Sequence, residues 1–145
     1  MQIEINKMKI SDLDSISDIL SSDFDDFWNY SVFKDELNNE NSKYIVAKQN
    51  DDIVGFAGIW IAIDEAHITN IVTKKVFRNN GIGSLLLKNL INLAISLNLR
   101  IITLEVNEKN LPAIKLYEKF GFDNLGIRKN YYNNSENAII MTKEL

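Results

Sequence analysis

The sequence feature that most constrains the fold is a glycine turn between an apolar strand and an apolar helix. The turn, R-N-N-G-I-G over residues 78–83, follows the apolar segment Ile71–Thr73 and precedes L-L-L at 85–87. Its two glycines allow a tight turn and leave backbone N–H groups without a Cβ over them. The first turn of a helix also has unpaired N–H groups and a partial positive charge. Strand, turn and helix together predict a site for a phosphate-bearing ligand.

The same turn excludes two other phosphate-binding motifs. A dinucleotide fingerprint, G-x-G-x-x-G, would need a third glycine where the chain has Leu86, and a P-loop would need Gly-Lys-Ser/Thr after the turn. A tight turn that binds nothing is the alternative, and the turn alone leaves it open.

Length and composition indicate one globular domain, residues 1–145. Hydrophobic residues make up 46% and charged residues 25% of the chain, the balance of a globular protein with a sizeable core. No apolar run is long enough to span a bilayer, and the N-terminus lacks the layout of a signal peptide. With no cysteine and His67 as the single histidine, we expect no disulfide, no thiol nucleophile, no metal site and a cytoplasmic location.

Charge is unevenly distributed along the chain. The net charge of −4 argues against general nucleic-acid binding. Residues 1–65 carry 14 acidic and 5 basic side chains, whereas residues 66–145 carry 6 acidic and 11 basic ones. The basic half would suit a polyphosphate ligand and the acidic half a cationic acceptor. A solvated surface with uneven charge is the alternative.

Hydrophobic periodicity and turn signals predict an α/β protein with a mixed sheet. Gly55 and Gly58 mark close packing or a bulge within a long strand. The predicted strands are 1–8, 43–48, 53–63, 66–73, 100–106, 122–129 and 138–143, with a loop at 131–135 between the last two. Two helices are predicted in the first part of the chain: 12–22, capped by Ser11, and 31–38, capped by Ser31 with Val32, Phe33 and Leu37 inward. Two more follow the glycine turn: 82–97, with a buried stripe of Leu85, Leu86, Leu90, Leu93, Ala94 and Leu97, and a helix capped by Asn110 and ended by Gly121.

An acidic, aromatic connection, D-F-D-D-F-W-N-Y, occupies residues 23–30. Its aromatic side chains suit either a hydrophobic core or a wall that receives a ligand, and the sequence leaves both open. These side chains are Phe24, Phe27, Trp28 and Tyr30.

The order of elements, together with R-N-N-G-I-G and the later segment N-L-P-A-I-K-L-Y-E-K-F-G-F at 110–122, resembles the GCN5-related N-acetyltransferase (GNAT) superfamily. The resemblance covers essentially the whole chain. It implies a central, mostly antiparallel sheet with one parallel pair splayed around acetyl-CoA and about four flanking helices.

A narrower resemblance is to the RimI family, whose members acetylate the N-terminal alanine of a small-subunit ribosomal protein. It rests on L-E-V-N-E-K-N-L-P-A-I-K-L-Y-E-K-F-G-F at 104–122 and on I-R-K-N-Y-Y at 127–132. The expected partner is therefore a protein or peptide N-terminus, with a ribosomal protein as one candidate, and neither nucleic acid nor a membrane. We expect a monomer or weak dimer.

The resemblance implies a set of residues that bind acetyl-CoA. Backbone groups of Ile71, Val72 and Thr73 would pair with the pantetheine arm, and Asn110 would hydrogen-bond it. Arg78 would open the diphosphate-binding motif. The diphosphate would be held by the backbone amides of Asn79, Asn80, Gly81, Ile82, Gly83 and Ser84.

The resemblance also implies that Glu105 is the general base and Tyr117 the general acid, next to the cofactor. The chemistry needs these two types, because an ammonium must lose a proton before it attacks a thioester and the leaving thiolate must gain one. A backbone N–H near Val72 would stabilise charge on the carbonyl oxygen. The alternatives are a solvated strand carboxylate at Glu105 and a core aromatic at Tyr117.

Four further residues are candidates for the acceptor side of the site. His67 would share a water with Glu105, although a packed or exposed strand histidine is the alternative. The acceptor's first residues would lie between Tyr131 on one side and Tyr30 and Trp28 on the other. Two rival functions stay open: acetylation of a lysine side chain, polyamine or other small amine, and a non-catalytic acyl-CoA-binding module.

Overall fold

The computed structural model describes residues 2–25, 28–132 and 136–145, with the backbone alone for residues 130–132. The chain divides into two compact units. The first unit comprises Met1–Ile61 and Thr69–Leu90, and the second comprises Ala62–Ile68 and Ile91–Leu145. The expectation of a single domain over residues 1–145 stays a prediction.

The strands form a mixed sheet in the hydrogen-bonded order β1-β2-β3-β4-β5-β7-β6, in which β4 and β5 pair in parallel. Four helices of the described residues have at least seven residues, so the expected fold class is confirmed. The strands are β1 (Glu4–Lys7), β2 (Ser42–Gln49), β3 (Asp52–Ala62), β4 (Glu65–Thr73), β5 (Ile101–Asn107), β6 (Asp123–Tyr132) and β7 (Glu136–Glu144). The helices are α1 (Ile10–Ile16), α2 (Leu20–Asp23), α3 (Tyr30–Asn38), α4 (Ile82–Ser96) and α5 (Leu111–Lys119), with 3-10 turns at Ser17–Ile19 and Lys75–Phe77.

In the first unit, β2 and β3 form a hairpin around Asn50 and Asp51. Both residues have a positive φ, 50° and 69°, which Asn and Asp tolerate better than other side chains. Two left-handed residues match the twist of a tight hairpin, and the ladder closes with Gln49 opposite Asp52. These two residues therefore form the turn that joins β2 to β3.

The first unit's core is a cluster of buried apolar side chains under α1 and α3. Aromatic rings fill its centre, where Phe33 lies 5.1 Å and Phe24 lies 5.4 Å from Phe56 between ring centroids. The buried members of the cluster are Met8, Leu13, Ile16, Leu20, Phe24, Phe33, Tyr44, Val46, Ile53, Phe56 and Val72.

Two predicted helix caps in the first unit are wrong. The first helix begins at Ile10 rather than after Ser11, because the Asp12 carboxylate accepts the backbone N–H of Lys9 at 2.8 Å. The second begins at Tyr30 rather than after Ser31, because the Asn29 side chain accepts the N–H of the third residue on at 2.9 Å. Val32, predicted to point inward, is exposed, whereas Phe33 is buried and Leu37 is partly buried on the core.

In the second unit, β7 pairs with all seven residues of β5 on one side and with β6 on its other side. Helix α5 begins after Asn110, as predicted, and ends before Gly121, whose φ of 91° is the left-handed conformation typical of a helix C-terminus. The predicted loop at 131–135 is wrong at its start, because β6 extends to Tyr132; residues 133–135 lie outside the described part of the chain.

Helix α4 follows the glycine turn and is apolar over most of its length. The predicted buried stripe is correct for Leu86, Leu90 and Ala94 and wrong for Leu97, which lies beyond the last helical residue and is exposed. Leu87 and Ile91 are buried as well, so the buried face of the helix is wider than the predicted stripe. No helix of the described residues is long and apolar enough to cross a membrane.

Candidate active site

The glycine turn of the first unit has a backbone built from alternating left-handed residues. Asn79 has a φ of 66° and Gly81 a φ of 79°. Between them, the Asn80 carboxamide donates to the carbonyl oxygens of Phe77 at 3.0 Å and Arg78 at 3.1 Å. Successive amides in such a conformation form a concave anion-binding surface. The turn is therefore held in this shape by one of its own side chains.

Both glycines of the turn leave space where a ligand would approach. A Cβ built on Gly81 would have nothing within 4 Å, and one on Gly83 would have only the Thr73 hydroxyl oxygen, at 4.0 Å. The Leu85 N–H closes the first helical hydrogen bond to the Gly81 carbonyl at 3.1 Å. The turn and the helix start thus fit a diphosphate group, whose oxygens are acceptors for backbone N–H groups.

Gly55 on β3 allows the cradle elements of the first unit to lie close together. A Cβ there would be 2.9 Å from the Val72 carbonyl oxygen, 3.1 Å from Leu86 Cδ1 and 3.2 Å from Ile82 Cγ2. The close packing predicted for Gly55 is confirmed, because β3, β4 and the start of α4 meet at this position.

Two basic residues beside the turn are paired with acidic residues of the same unit. Arg78 Nη2 lies 2.5 Å from the Asp25 carboxylate, and Lys74 Nζ lies 3.6 Å from that of Asp52. Both members of the Arg78–Asp25 pair are about half exposed, so water screens their attraction strongly. Asp25 belongs to the acidic, aromatic connection, which thus contacts the residue expected to open the diphosphate motif.

A buried hydroxyl lies beside the strand that leads into the turn. The Tyr44 hydroxyl is 2.8 Å from the Thr69 hydroxyl and accepts from the Asn70 carboxamide at 3.0 Å. Burial raises the pKa of Tyr44 to about 12, and these hydrogen bonds oppose the shift only in part. A Cβ on Gly58 would lie 2.3 Å from the Tyr44 ring, so Gly58 marks close packing, as predicted.

The aromatic residues expected on the acceptor side lie against the first unit's own elements. Trp28 is partly buried on the core, with its ring centroid 5.6 Å from that of Phe33 and 6.4 Å from that of Tyr44. The Tyr30 hydroxyl donates to the Asp14 carboxylate at 2.5 Å, a hydrogen bond that raises the pKa of Tyr30. Phe27 and the side chain of Tyr131 lie outside the described part of the chain.

In the second unit, Glu105 lies on a strand face that carries several polar side chains. Its carboxylate forms an ion pair with Arg128, whose Nη1 is 3.1 Å from Oε1 and 3.2 Å from Oε2. The Glu105 side chain is 12% exposed, whereas that of Arg128 is 54% exposed. The expected base is therefore held in place by a cation and only slightly exposed to water.

His67 lies opposite Thr103 in the parallel ladder of β4 and β5. Thr103 is two residues before Glu105 on β5. Because side chains on a strand alternate, Thr103 and Glu105 share a face, and His67 shares it too. Its imidazole makes no hydrogen bond to another described residue. The structure brings the expected pair onto one face without direct contact, and the shared water stays a prediction.

Helix α5 carries the other two expected residues of the second unit. The Asn110 side chain caps the helix by accepting the Ala113 N–H at 3.3 Å. Tyr117 is partly buried, with its ring centroid 5.8 Å from that of Phe122 in an edge-on contact. Their expected contacts with the cofactor stay predictions.

A second polar cluster ties the end of β5 to the start of β7. The Asn107 carboxamide donates to the Glu136 carboxylate, and Lys109 Nζ lies 3.5 Å from the same group. The hydrogen bond from Asn107, with the charge of Lys109 beside it, lowers the pKa of Glu136. Glu108 accepts from Asn137 at 3.4 Å in the same region. These contacts fix the β5–α5 connection, which carries the Asn110 cap.

Sequence reasoning missed the charged partners of two expected site residues, Asp25 for Arg78 and Arg128 for Glu105. Arg128 was noted only as part of I-R-K-N-Y-Y. Its charge, opposite to that of a base expected on another strand, is the one signal that the sequence offers. No local pattern links residues that are 23 or 53 positions apart in the chain.

The comparisons with known proteins agree with this fold. Residues 13–122 match the model of the Acetyltransferase (GNAT) family. A match over most of the chain shows the family, and the chain belongs to the GNAT acetyltransferases.

Within that family the chain is similar to enzymes that acetylate ribosomal protein N-termini. It is 38% identical over 94% of its length, and 92% of the relative's, to a Bacillus subtilis protein named provisionally as a ribosomal protein bS18-alanine N-acetyltransferase. The crystal structure of the ribosomal-protein-S18-alanine N-acetyltransferase from Escherichia coli superposes with a TM-score of 0.89, at 29% identity, over 99% of this chain and 94% of that one.

An acetyltransferase from Bacillus anthracis, solved in complex with acetyl coenzyme A, shares the fold with a TM-score of 0.82. It is 23% identical, over 99% of this chain and 100% of that one. At this identity the comparison supports the fold alone.

Proposed function

We propose that this protein is an acetyl-CoA-dependent N-acetyltransferase that modifies the N-terminal α-amine of a protein, with the N-terminal alanine of a small-subunit ribosomal protein as the expected acceptor. The observation that carries the proposal is the similarity over 94% of the chain to a relative named for that activity. The family supplies the chemistry of acetyl transfer, and the named relatives supply the acceptor class.

The first unit provides the features needed to bind the donor. The open space beside Gly81 and Gly83 and the start of α4 support the diphosphate assignment, with Arg78 as a cation that can exchange Asp25 for phosphate. Backbone groups of Ile71–Thr73 would pair with the pantetheine arm in the manner of an added strand. Bound acetyl-CoA supplies the acetyl group as an activated thioester.

The second unit provides the groups for proton transfer. The acceptor amine is mostly ammonium at neutral pH, so it must lose a proton to become a nucleophile. Glu105 accepts that proton, directly or through water, and Tyr117 gives its hydroxyl proton to the departing sulfur. The carbonyl oxygen gains negative charge in this step, and a backbone N–H donor would stabilise it. No covalent enzyme intermediate is needed, in keeping with a chain that has no cysteine.

On the acceptor side, the proposal assigns a role to three aromatic residues. Trp28 and Tyr30 are occupied by contacts with their own unit, Trp28 with the core and Tyr30 with Asp14. We keep both, together with Tyr131, in the proposal as residues that contact the acceptor. His67 takes part only if a water joins it to Glu105.

The experiment is a panel of amines incubated with the purified protein and acetyl-CoA and analysed by mass spectrometry. The panel contains peptides with N-terminal alanine, serine and methionine, the alanine peptide with a blocked N-terminus and an internal lysine, and spermidine. The expected product is acetylated on the α-amine, with the alanine peptide modified fastest. The blocked peptide is the matched control, because it keeps the sequence and removes the α-amine.

Three outcomes would contradict the proposal. Acetylation of only the blocked peptide's lysine or of spermidine would assign the enzyme to side chains or small amines. Binding of acetyl-CoA by calorimetry without transfer to any amine of the panel would favour a binding module. Absence of any affinity for coenzyme A in folded protein would remove the cradle assignment itself.

A further inference from the structure

Arg128 and Glu105 lie on one face of the second unit, two strands apart. Glu105 on β5 is opposite Ile140 of β7, and Arg128 on β6 is opposite Ala138 of β7. Ile140 and Ala138 are two residues apart on the same strand, so all four side chains point to the same face. The guanidinium therefore reaches the carboxylate by crossing β7.

Ala138 provides the space for this crossing. It is fully buried, and its methyl group is the side chain directly opposite Arg128. Neighbouring strands are about 4.8 Å apart, so the backbones of β5 and β6 are separated by roughly 10 Å, a distance that an extended arginine spans. A larger side chain at this position would lie in the path of the arginine.

The ion pair with Arg128 leaves lone pairs of the Glu105 carboxylate free to accept further hydrogen bonds. A single nitrogen, Nη1, lies 3.1 Å from one carboxylate oxygen of Glu105 and 3.2 Å from the other. An ionised carboxylate has about four lone-pair sites, so sites remain for a water or an amine. With 12% of its side chain exposed, Glu105 can still be reached from one side.

We propose that Arg128 is a positioning residue that fixes the orientation of the Glu105 carboxylate for proton abstraction. This inference rests on the assignment of Glu105 as the base in the proposed function. Arg128 acts through Glu105, and the transferred proton goes from the acceptor ammonium to the carboxylate and not to the guanidinium, which has no lone pair to accept it.

The physical argument is one of orientation rather than of stability. A glutamate on a strand has several rotatable bonds, and a base that is displaced by 1 Å can lose on the order of 10²-fold in rate. The ion pair itself contributes little to folding, because half of the Arg128 side chain is exposed to water. Removal of Arg128 should therefore lower turnover much more than it lowers stability.

The test compares Arg128→Gln with Lys129→Gln in steady-state kinetics, using the acceptor that the amine panel identifies. Both changes remove one positive charge from adjacent positions on β6, and Lys129 is exposed. We expect Arg128→Gln to lower kcat about tenfold with little change in KM for acetyl-CoA or peptide. Arg128→Lys should recover part of the loss, and Lys129→Gln should match the unaltered protein.

Three results would overturn the proposal. One is equal kcat in Arg128→Gln and Lys129→Gln. Another is a raised peptide KM with unchanged kcat, which would make Arg128 an acceptor-binding residue. A third is a loss of kcat that disappears once activity is normalised to the fraction of Arg128→Gln that is folded in a urea titration.

A double-mutant cycle separates this inference from the function on which it rests. In a Glu105→Gln background, Arg128→Gln should have no further effect, because the group it positions is gone. A further tenfold loss would overturn the positioning role and leave the base assignment intact. Full activity of Glu105→Gln alone would refute the base assignment, and the positioning role with it.

Discussion

The glycine cradle of the first unit and the polar strand face of the second unit are organised in opposite ways. The cradle presents main-chain N–H groups, and its shape comes from the left-handed residues Asn79 and Gly81 and the Asn80 side chain, all within one short segment. The strand face presents side chains, and its central contact joins Glu105 to Arg128 across an intervening strand.

This difference teaches how each region responds to change. A main-chain site depends on backbone conformation and on the space around it, so it is sensitive to an added Cβ and tolerant of most side-chain changes. A side-chain site depends on register and on charged partners, so it is sensitive to the loss of a single functional group. Variants of the two regions should therefore separate donor binding from turnover.

The largest effect is expected from Glu105→Gln, which alters the strand face and leaves the cradle untouched. Loss of a general base typically costs 10²–10⁴-fold, and we expect kcat to fall about 10²–10³-fold. The affinity for acetyl-CoA, measured by calorimetry, should be unchanged. Glu118→Gln, the same change at an exposed position of α5, is the control. A normal kcat in Glu105→Gln would contradict the assignment of Glu105 as the general base.

Gly55→Ala tests whether the cradle depends on close packing in the first unit. The new methyl group would lie 2.9 Å from the Val72 carbonyl oxygen, a main-chain atom that can move only with its strand. We expect the free energy of unfolding to fall by about 1–3 kcal/mol, measured by urea denaturation. In Gly126→Ala of the second unit the nearest atom would be 4.0 Å away, and this variant should be close to the unaltered protein. Equal stability of the two variants would contradict the packing argument.

Gly81→Ala tests the cradle's backbone directly. Its φ of 79° costs an L-residue about 1–2 kcal/mol. Either the strain stays in the turn and lowers stability by that amount, or the turn relaxes and the dissociation constant for acetyl-CoA rises about 5–30-fold. Urea denaturation measures the loss of stability, and calorimetry measures the rise in the dissociation constant for acetyl-CoA.

Gly83→Ala is the matched variant of the cradle, since Gly83 is helical and lacks a positive φ. It should not be less stable, so any weaker binding of acetyl-CoA would come from the methyl group beside the ligand. If Gly81→Ala retains both affinity and stability, the main-chain account of the cradle is wrong.

The buried Tyr44 hydroxyl gives the first unit a dependence on pH. Its pKa is about 12 when folded and about 10 in an unfolded chain, so the folded state holds this proton more tightly. The resulting stability is fully present below pH 10 and is lost as the pH rises from 10 to 12. We expect a loss of about 1 kcal/mol between pH 9 and pH 11, measured by urea denaturation.

Tyr44→Phe is the control for this pH dependence. It loses the hydrogen bonds with Thr69 and Asn70 at every pH, but its stability should change less between pH 9 and pH 11 than that of the unaltered protein. Identical slopes in the two proteins would show that another group causes the loss.

The smallest effect is expected from Asp25→Asn, which releases Arg78 beside the cradle. Exposed ion pairs contribute about 0–1 kcal/mol, so acetyl-CoA should bind at most about fivefold more tightly at low salt. The gain should shrink at high salt, because salt screens the freed charge. Asp64→Asn, which alters a partner of Arg100 in the second unit, should leave the affinity unchanged. Weaker binding in Asp25→Asn would mean that Asp25 helps to place Arg78.

The sequence by itself determined the features that depend on neighbours in the chain. The glycine turn, the Asn110 cap, the Gly121 helix end and the Asn50–Asp51 hairpin follow from conformational preferences of a few consecutive residues, and the structure has each of them. The order of strands and helices followed as well, because hydrophobic periodicity is a local signal, and with the motifs it was enough to indicate the GNAT family.

Only the tertiary structure decided the features that depend on residues far apart in sequence. The starts of α1 and α3 are a separate case, because Asp12 and Asn29 accept backbone N–H groups only three residues away and compete locally with the predicted serines. The Arg128–Glu105 and Arg78–Asp25 pairs arise because folding brings distant segments together. Charge attraction has no preferred separation along the chain, so no local pattern encodes which charges will meet.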